Sequence, residues 1–302
     1  MKVSPKIFNS LSQLHQAMGQ PKPLHPLISI INYGDAVFNA KDFEAGIILN
    51  FYKISFKTNF KGQIRYGQGF YDFEEGGMSF VAPGQLLRMQ DEEANYEGLS
   101  LHIHPDFIRQ YALNDQIKQY GFFSYAASEA LYLSEKEKQT IWGIFQHIQA
   151  ELEERIDHFS QDVMISQIEL LLNYSNRFYN RQFITRKIVN HDVLSKLENY
   201  IETYFNDEKA LATGLPTVAA VAEELNLSAR YLSDLLRNLT GQNTQQFIHD
   251  KLIDKAKAYL AKDTSTIAEV AYQLGFEHPQ SFTKLFKHKT SITPLQYKSS
   301  LQ

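Results

Sequence analysis

The sequence predicts an α+β chain. An N-terminal half of short strands is closed by two long helices, and an all-helical C-terminal half follows. Three observations predict this. Residues 27–104 hold several β-rich runs punctuated by Gly and Pro. Residues 134–180 carry apolar side chains at helical spacing. Roughly the last hundred residues state one pattern twice.

In chain order, residues 1–24 carry Pro and Gln with little periodicity. They read as a loosely ordered arm with one short helix near residues 7–18. Residues 47–56 and 64–66 are rich in β-branched and aromatic residues. Gly76-Gly77 separates residues 70–73 from 78–81, Pro83-Gly84 closes another turn, and residues 99–104 alternate apolar and polar. Several short strands with such punctuation predict a sandwich or barrel. The aromatic residues of 43–80 fit a ligand pocket or a plain barrel core.

Ser134, with Glu137 three residues later, is a capping box that opens a helix. Ile141, Ile144, Phe145, Ile148, Leu152 and Ile156 form its apolar stripe. A second helix is expected over residues 161–180, with Ile165, Ile168, Leu171, Leu172, Ser175 and Phe178 or Tyr179 on one face. These stripes pack on the barrel or on a second subunit. Because homodimers are the commonest oligomers, a dimer through helices 134–180 is expected. Residues 181–192 are polar, basic and without clear periodicity, so they read as a linker. The domain division is 1–182, a linker at 183–192, and 193–302.

The repeat lies in the last of these. Thr217-Val218-Ala219-Ala220-Val221-Ala222-Glu223-Glu224-Leu225 returns as Thr266-Ile267-Ala268-Glu269-Val270-Ala271-Tyr272-Gln273-Leu274. Tyr231-Leu232-Ser233-Asp234-Leu235-Leu236-Arg237 returns as Ser281-Phe282-Thr283-Lys284-Leu285-Phe286-Lys287. A third segment, starting at Thr240, returns starting at Thr290. Two copies are too few for a solenoid. Each copy reads as helix, tight turn, helix.

In the first copy Thr217 caps a helix whose apolar face is Val218, Val221, Ala222 and Leu225. Asn226 tolerates the left-handed backbone of a sharp turn. Leu227 plugs the core, and Ser228 caps the next helix. Leu232, Leu235, Leu236 and Leu239 make that helix's buried stripe, leaving Arg230, Ser233, Asp234, Arg237 and Asn238 outside. In the second copy Thr266 and Glu269 form a capping box. Gly275 supplies positive φ, Phe276 is the plug, and Pro279 suits the first helical position. Phe282, Leu285 and Phe286 face inward; Gln280, Thr283, Lys284 and Lys287 face outward.

Residues 244–261 contain neither Gly nor Pro and predict one helix about 27 Å long. A rigid rod of that length can hold two recognition helices about 34 Å apart, one turn of duplex DNA. At this point the sequence resembles a known family. Residues 193–300 resemble the DNA-binding domain of the AraC/XylS bacterial transcription regulators. Ile267 to Ala271, Leu274-Gly275-Phe276, Ser281 to Lys287, Thr293-Pro294 and Tyr297-Lys298 carry the likeness. Ser291 stands where the family usually has Gly, and Lys298 where it usually has Arg.

The resemblance implies a sequence-specific regulator of transcription, an activator, working with double-stranded DNA and RNA polymerase. It also implies a cupin-like β-barrel sensor over the N-terminal half, a homodimer, and a small-molecule effector. Arg230, Ser233, Gln280, Thr283 and Lys284 are then expected at base edges. Arg237, Lys287 and Lys298 are expected at phosphates.

Composition sets the remaining bounds. The net charge of −4 hides an asymmetry. Residues 1–185 hold 16 Lys+Arg against 21 Asp+Glu, and residues 186–302 hold 14 against 13. Basicity alone would not identify a DNA binder, since strong binders often exceed a pI of about 9. With no long apolar run and no secretory signal, a soluble, cytoplasmic protein without membrane contact is expected. The absence of Cys excludes disulfides and thiol chemistry. His102-Ile103-His104 is the one arrangement with metal-ligand spacing, and the competing reading is a cupin-type metalloenzyme fused to a DNA-binding module. A full ligand set is missing, and no phosphate loop or nucleophile motif is present. No metal, cofactor or catalytic residue is therefore expected.

Overall fold

A computed structural model describes residues 4–37, 43, 45–60, 63–66, 69–72, 76–87, 96–126, 129–155, 157–185, 187–207, 209–261 and 265–301. The chain divides into two compact units, Met1–Gln182 and Phe183–Gln302.

The first unit is α+β. Its strands are β1 (Lys6–Phe8), β2 (Ile28–Asn32), β3 (Ile47–Leu49), β4 (Tyr52–Phe60), β5 (Gln63–Tyr66), β6 (Gly69–Asp72), β7 (Gly77–Val81), β8 (Leu86–Leu87), β9 (Tyr96–Ile103) and β10 (Leu131–Tyr132). They make three sheets: β1-β3-β8, β10-β7-β4-β9-β2 and the hairpin β5-β6. Among the described residues no sheet closes on itself, so the expected cupin-like barrel is not found. The reason is visible in one β-rich run. Residues 47–56 break at Asn50–Phe51, sending β3 to the small sheet and β4 to the large one. Residues 73–75, just before the Gly76-Gly77 break, lie outside the described residues.

The N-terminal arm is not loose. β1 pairs in parallel with β3, and Ser10 caps α1 (Leu11–Ala17). Phe8, Leu11, Leu14 and Met18 join Phe43, Leu49 and Phe51 in a core of their own. Apolar residues at i and i+3 behind a Ser cap were the signal.

After β9 come two short helices, α2 (Pro105–Ile108) and α3 (Leu113–Gln116), then α4 (Glu135–Glu153) and α5 (Ser160–Thr185). The capping box at Ser134 and Glu137 forms with both bonds present. Ile141, Ile144, Phe145, Ile148 and Leu152 of α4 are buried, as are Ile165, Ile168, Leu171, Leu172, Phe178 and Tyr179 of α5. Ile156 lies outside the described residues. Phe145 lies 6.0 Å from Phe56 of β4, and Tyr179 stacks on Phe122 at 5.4 Å. The stripes expected to serve a second subunit are thus spent on this unit's own core.

The expected linker is largely helical. α5 continues to Thr185, and α6 (Lys187–Asn206) begins two residues later. Arg181 is held by Glu137 through two hydrogen bonds of 3.0 and 2.8 Å and donates to the Tyr132 carbonyl at 2.7 Å. Arg181, read in sequence as part of a solvated basic run, is thus spent on an ion pair with Glu137.

The second unit is all helical: α6, α7 (Lys209–Thr213), α8 (Val218–Glu224), α9 (Ala229–Thr240), α10 (Thr244–Leu260), α11 (Ile267–Gln273), α12 (Pro279–Thr290) and α13 (Pro294–Ser299). One apolar cluster runs through it, from Leu197 and Ile201 of α6 to Phe282 and Phe286 of α12. The sequence reading assigned no helix to α6, although Leu194, Leu197, Ile201, Tyr204 and Phe205 follow a 3.6-residue period.

Two left-handed turns outside glycine deserve a test of their cost. Asn226 has φ 55° and Ser291 has φ 66°. A residue with a Cβ is disfavoured there by about 1–2 kcal/mol, less for Asn, whose side chain bonds locally. Ser291→Gly is therefore expected to stabilise the helical unit by about 1 kcal/mol. Gly275→Ala is expected to destabilise it by at least about 2 kcal/mol. Its φ is 88°, and an added Cβ would meet backbone atoms of Gly214 and Ala210 at 2.7 and 2.8 Å. Urea unfolding of the full chain, followed by helical circular dichroism, measures both. A Ser291→Gly midpoint at or below wild type would contradict the strain argument.

Candidate nucleic-acid interface

The repeat in sequence is a repeat in hydrogen bonds. Thr217 Oγ1 accepts from the Ala220 amide at 3.1 Å, and Thr266 Oγ1 accepts from Glu269 at 3.2 Å. In the first turn the Leu227 amide donates to the Ala222 carbonyl at 2.9 Å. In the second, Phe276 donates to Ala271 at 3.0 Å. Asn226 and Gly275 hold the left-handed residue of each turn, as their types require. The recognition helices end alike too, with Gly241 at φ 77° and Ser291 at φ 66°. Thr240 and Thr290 each donate to the carbonyl four residues back, at 2.8 Å in both cases.

The helix starts differ. Ser228 caps α9 by accepting from the Tyr231 amide at 3.2 Å. His278 precedes α12 without a side-chain cap, and Pro279 fills the first helical position. Proline lacks one of the N–H groups a cap would serve, which lowers that need.

Both units pack on α10. Phe247, Ile248, Leu252, Ile253, Ala256 and Leu260 are buried along it, beside Leu232, Leu236, Phe282 and Phe286. One polar residue of α10 touches both units. Asp250 accepts from Gln242 Nε2, just after α9, at 2.7 Å. It also accepts from Lys289 Nζ, near the end of α12, at 2.6 Å. Beside it, burial holds the His249 imidazole below its usual range, and Lys289 adds to that shift.

The expected contact residues fall into two groups. Gln280, Lys284 and Lys287 are exposed on α12. Thr283 is half-buried, its hydroxyl donating to the Pro279 carbonyl at 3.0 Å. On α9, Arg230 and Arg237 are exposed but both engage Asp234. Ser233 is half-buried and shares a 3.0 Å hydrogen bond with the Thr244 hydroxyl. Lys298 Nζ donates to the Ser265 carbonyl at 2.7 Å. Leu239, expected inside, is 37% exposed, and Tyr231 is buried instead. The stripe of α9 is thus rotated toward its first turn. The sequence reading passed over Asp250 and the pairing role of Asp234; acidic residues at i, i+3 and i+4 from arginine were the available signal.

In the first unit, His102 and His104 part company. His102 is 1% exposed, its ring edge-on to Phe51 at 5.8 Å, and burial keeps it neutral far below its usual range. β9 ends at Ile103, and His104 caps α2 by accepting from the Asp106 amide at 3.3 Å. Among the described residues no three His, Asp or Glu side chains gather as a metal site. Among the described residues no helix is long and apolar enough to cross a membrane.

A family model for a helix-turn-helix domain matches residues 221–300. An HTH-type transcriptional regulator of Staphylococcus aureus is 29% identical over 138 residues, which is 46% of this chain and 17% of that protein. The HTH-type transcriptional activator Btr of Bacillus subtilis is 25% identical over 142 residues, covering 26% of its length. The C-terminal domain of the response regulator yesN from Fusobacterium nucleatum is 31% identical, over 35% of this chain and 98% of that one, with a TM-score of 0.31.

The C-terminal unit belongs to the AraC-type helix-turn-helix family. The family model covers residues 221–300 alone, and the chain spans only 17% and 26% of the lengths of the Staphylococcus aureus and Bacillus subtilis relatives. Within the AraC-type unit, Asp250 is expected to contribute stability through both partners. Asp250→Ala should cost about 1 kcal/mol. Because Lys289 and Gln242 share one carboxylate, their double substitution should cost less than the sum of the singles. Strict additivity in urea unfolding would show that Asp250 does not couple them.

Proposed function

We propose that this protein is a sequence-specific DNA-binding regulator of transcription that reads two successive major grooves with its paired helix-turn-helix units. The observation that carries the reading is the duplicated unit, whose first-helix caps, left-handed turns and closing threonine bonds recur, built onto one continuous helix. α10 spans 17 residues, so it is about 26 Å long. A flexible connection would not keep two helices in register with a duplex, whose grooves return every ~34 Å.

In this reading Arg230, Ser233, Gln280, Thr283 and Lys284 approach base edges, and Arg237, Lys287 and Lys298 approach phosphates. The reading is strongest for Gln280, Lys284 and Lys287, which are exposed. Ser233, Thr283 and Lys298 would have to exchange an internal hydrogen bond for one to DNA. Activation is part of the proposal, supported by the likeness to the transcriptional activator Btr of Bacillus subtilis, and contact with RNA polymerase in the cytoplasm is proposed with it.

Footprinting of the full chain on selected DNA should protect about two helical turns. Lys284→Ala should relax base preference at a cost of about 1–3 kcal/mol. Lys287→Ala should weaken all sequences alike and lower the salt slope by about one. Protection of a single half-turn would sink the paired-groove reading.

The first unit is proposed to hold a small-molecule effector and to dimerise. What supports the effector is a polar file on one face of the five-stranded sheet. Its register places Ser29, His102 and Lys53 in one row and Ser100 and Ser55 in the next. His102 Nδ1, Ser29 Oγ and the nearby His15 Nε2 are buried without a hydrogen-bond partner among the described residues. Such groups normally have one. Burial and the neighbouring Lys53 push the Lys57 ammonium down to about 7. A dimer would have to use the outer sides of α4 and α5, where Trp142, Val163 and Leu170 are exposed. An effector bound at the polar file should raise the thermal midpoint of wild type but not of His102→Leu. Leu170→Glu should turn a dimer into a monomer by sedimentation; a wild-type monomer at high concentration would remove the dimer from the reading.

A further inference from the structure

The two recognition helices are built alike in their apolar halves and oppositely in the middle of their outer faces. In the repeat, Arg230 corresponds to Gln280, Ser233 to Thr283 and Arg237 to Lys287. Asp234 corresponds to Lys284, so the same position carries opposite charges in the two units.

The Asp234 carboxylate lies under the two arginines on its own helix. Its Oδ2 accepts from Arg230 Nε at 3.1 Å, and its Oδ1 accepts from Arg237 Nη1 at 2.8 Å. The Asp234 side chain is 15% exposed, while those of Arg230 and Arg237 are 48% and 53% exposed. The acid is sheltered and the guanidiniums form the surface. Among the described residues no ion pair engages Lys284 or Lys287 on α12.

The consequence for a polyanion follows from charge. Non-specific affinity for DNA comes from protein cations that neutralise phosphates and release their counterions. Lys284 and Lys287 can turn to DNA, one to a base edge and one to phosphate, without leaving a carboxylate. Arg230 and Arg237 share a carboxylate that repels phosphate and that they would have to leave. A guanidinium held at Nε still offers its Nη donors, and a fixed fork suits the O6 and N7 acceptors of guanine. A carboxylate beside it can accept from a cytosine amino group and from no phosphate.

We propose that Asp234 is a specificity-determining residue of the first helix-turn-helix unit: it holds the Arg230 fork for a base edge and weakens the pull of Arg230 and Arg237 on phosphate, so that α9 adds base discrimination at the expense of non-specific binding. The proposal rests on the DNA-reading function above.

The test compares wild type, Asp234→Ala and Asp234→Asn as full chains. Fluorescence anisotropy measures binding to a selected site and to scrambled duplex DNA from 50 to 300 mM salt. Asp234→Ala is expected to bind scrambled DNA roughly 10-fold more tightly at 0.1 M salt and to steepen the salt slope by about one to two. The ratio of selected to scrambled affinity should fall by at least about 10-fold. Asp234→Asn loses the charge but keeps an acceptor for one arginine, so its values should lie between the two. It also guards against misfolding of the Ala variant, because its shape is conserved, and circular dichroism reports the fold of both.

An unchanged ratio in both variants, or weaker scrambled binding by folded Asp234→Asn, overturns the proposal while leaving the DNA-reading function intact. Wild type that binds neither duplex overturns that function, and this proposal with it.

Discussion

The C-terminal unit depends on α10 being buried by two partners at once. Neither helix pair has enough apolar surface to stand alone, and each finishes its core on this shared rod. Leu232 and Leu236 from one pair and Phe282 and Phe286 from the other join Leu252 and Ala256 in one cluster. A helix of 17 residues is marginal in water by its own propensity, so its stability comes from this packing. The same packing fixes how the two recognition helices are held relative to each other. A single apolar core thereby does the work that a linker with defined length could not do.

Upon that core the two units are free to differ. The threonine caps of their first helices, their left-handed turns and their closing threonine bonds recur, because those features make the helix-turn-helix shape. Their outer faces do not recur. α9 carries an acid bonded to two arginines, and α12 carries lysines of the same sign. The two copies share what folding needs and differ where side chains face solvent. Ser291 shows the limit of that freedom: it accepts φ 66° at a site where glycine would pay no steric penalty.

The first unit obeys a different constraint. Its sheets are too short to close among the described residues, and α4 and α5 cover them. Phe56, Phe145, Phe80, Phe122 and Tyr179 lock strands to helices through ring contacts of 4.4 to 6.1 Å. The inner stripes of α4 and α5 are therefore covered by this unit itself. A stripe reports that something covers it and is silent about whether the cover is the same chain.

The amino-acid sequence by itself determined the local features of this protein. The capping boxes at Ser134 and Thr266, the left-handed turns at Asn226 and Gly275, the connector helix and the two recognition helices were all legible. Each depends on residues within about five positions of one another, where spacing and backbone preference act directly. Tertiary structure alone decided the rest. It split one β-rich run between two sheets and drew the N-terminal arm into a core. It turned a basic segment helical through Arg181 and Glu137. It also set Asp250 between two units and rotated Tyr231 inward in place of Leu239. These outcomes depend on partners far away in the chain, which no local pattern names, since burial is settled by the surface that arrives from elsewhere.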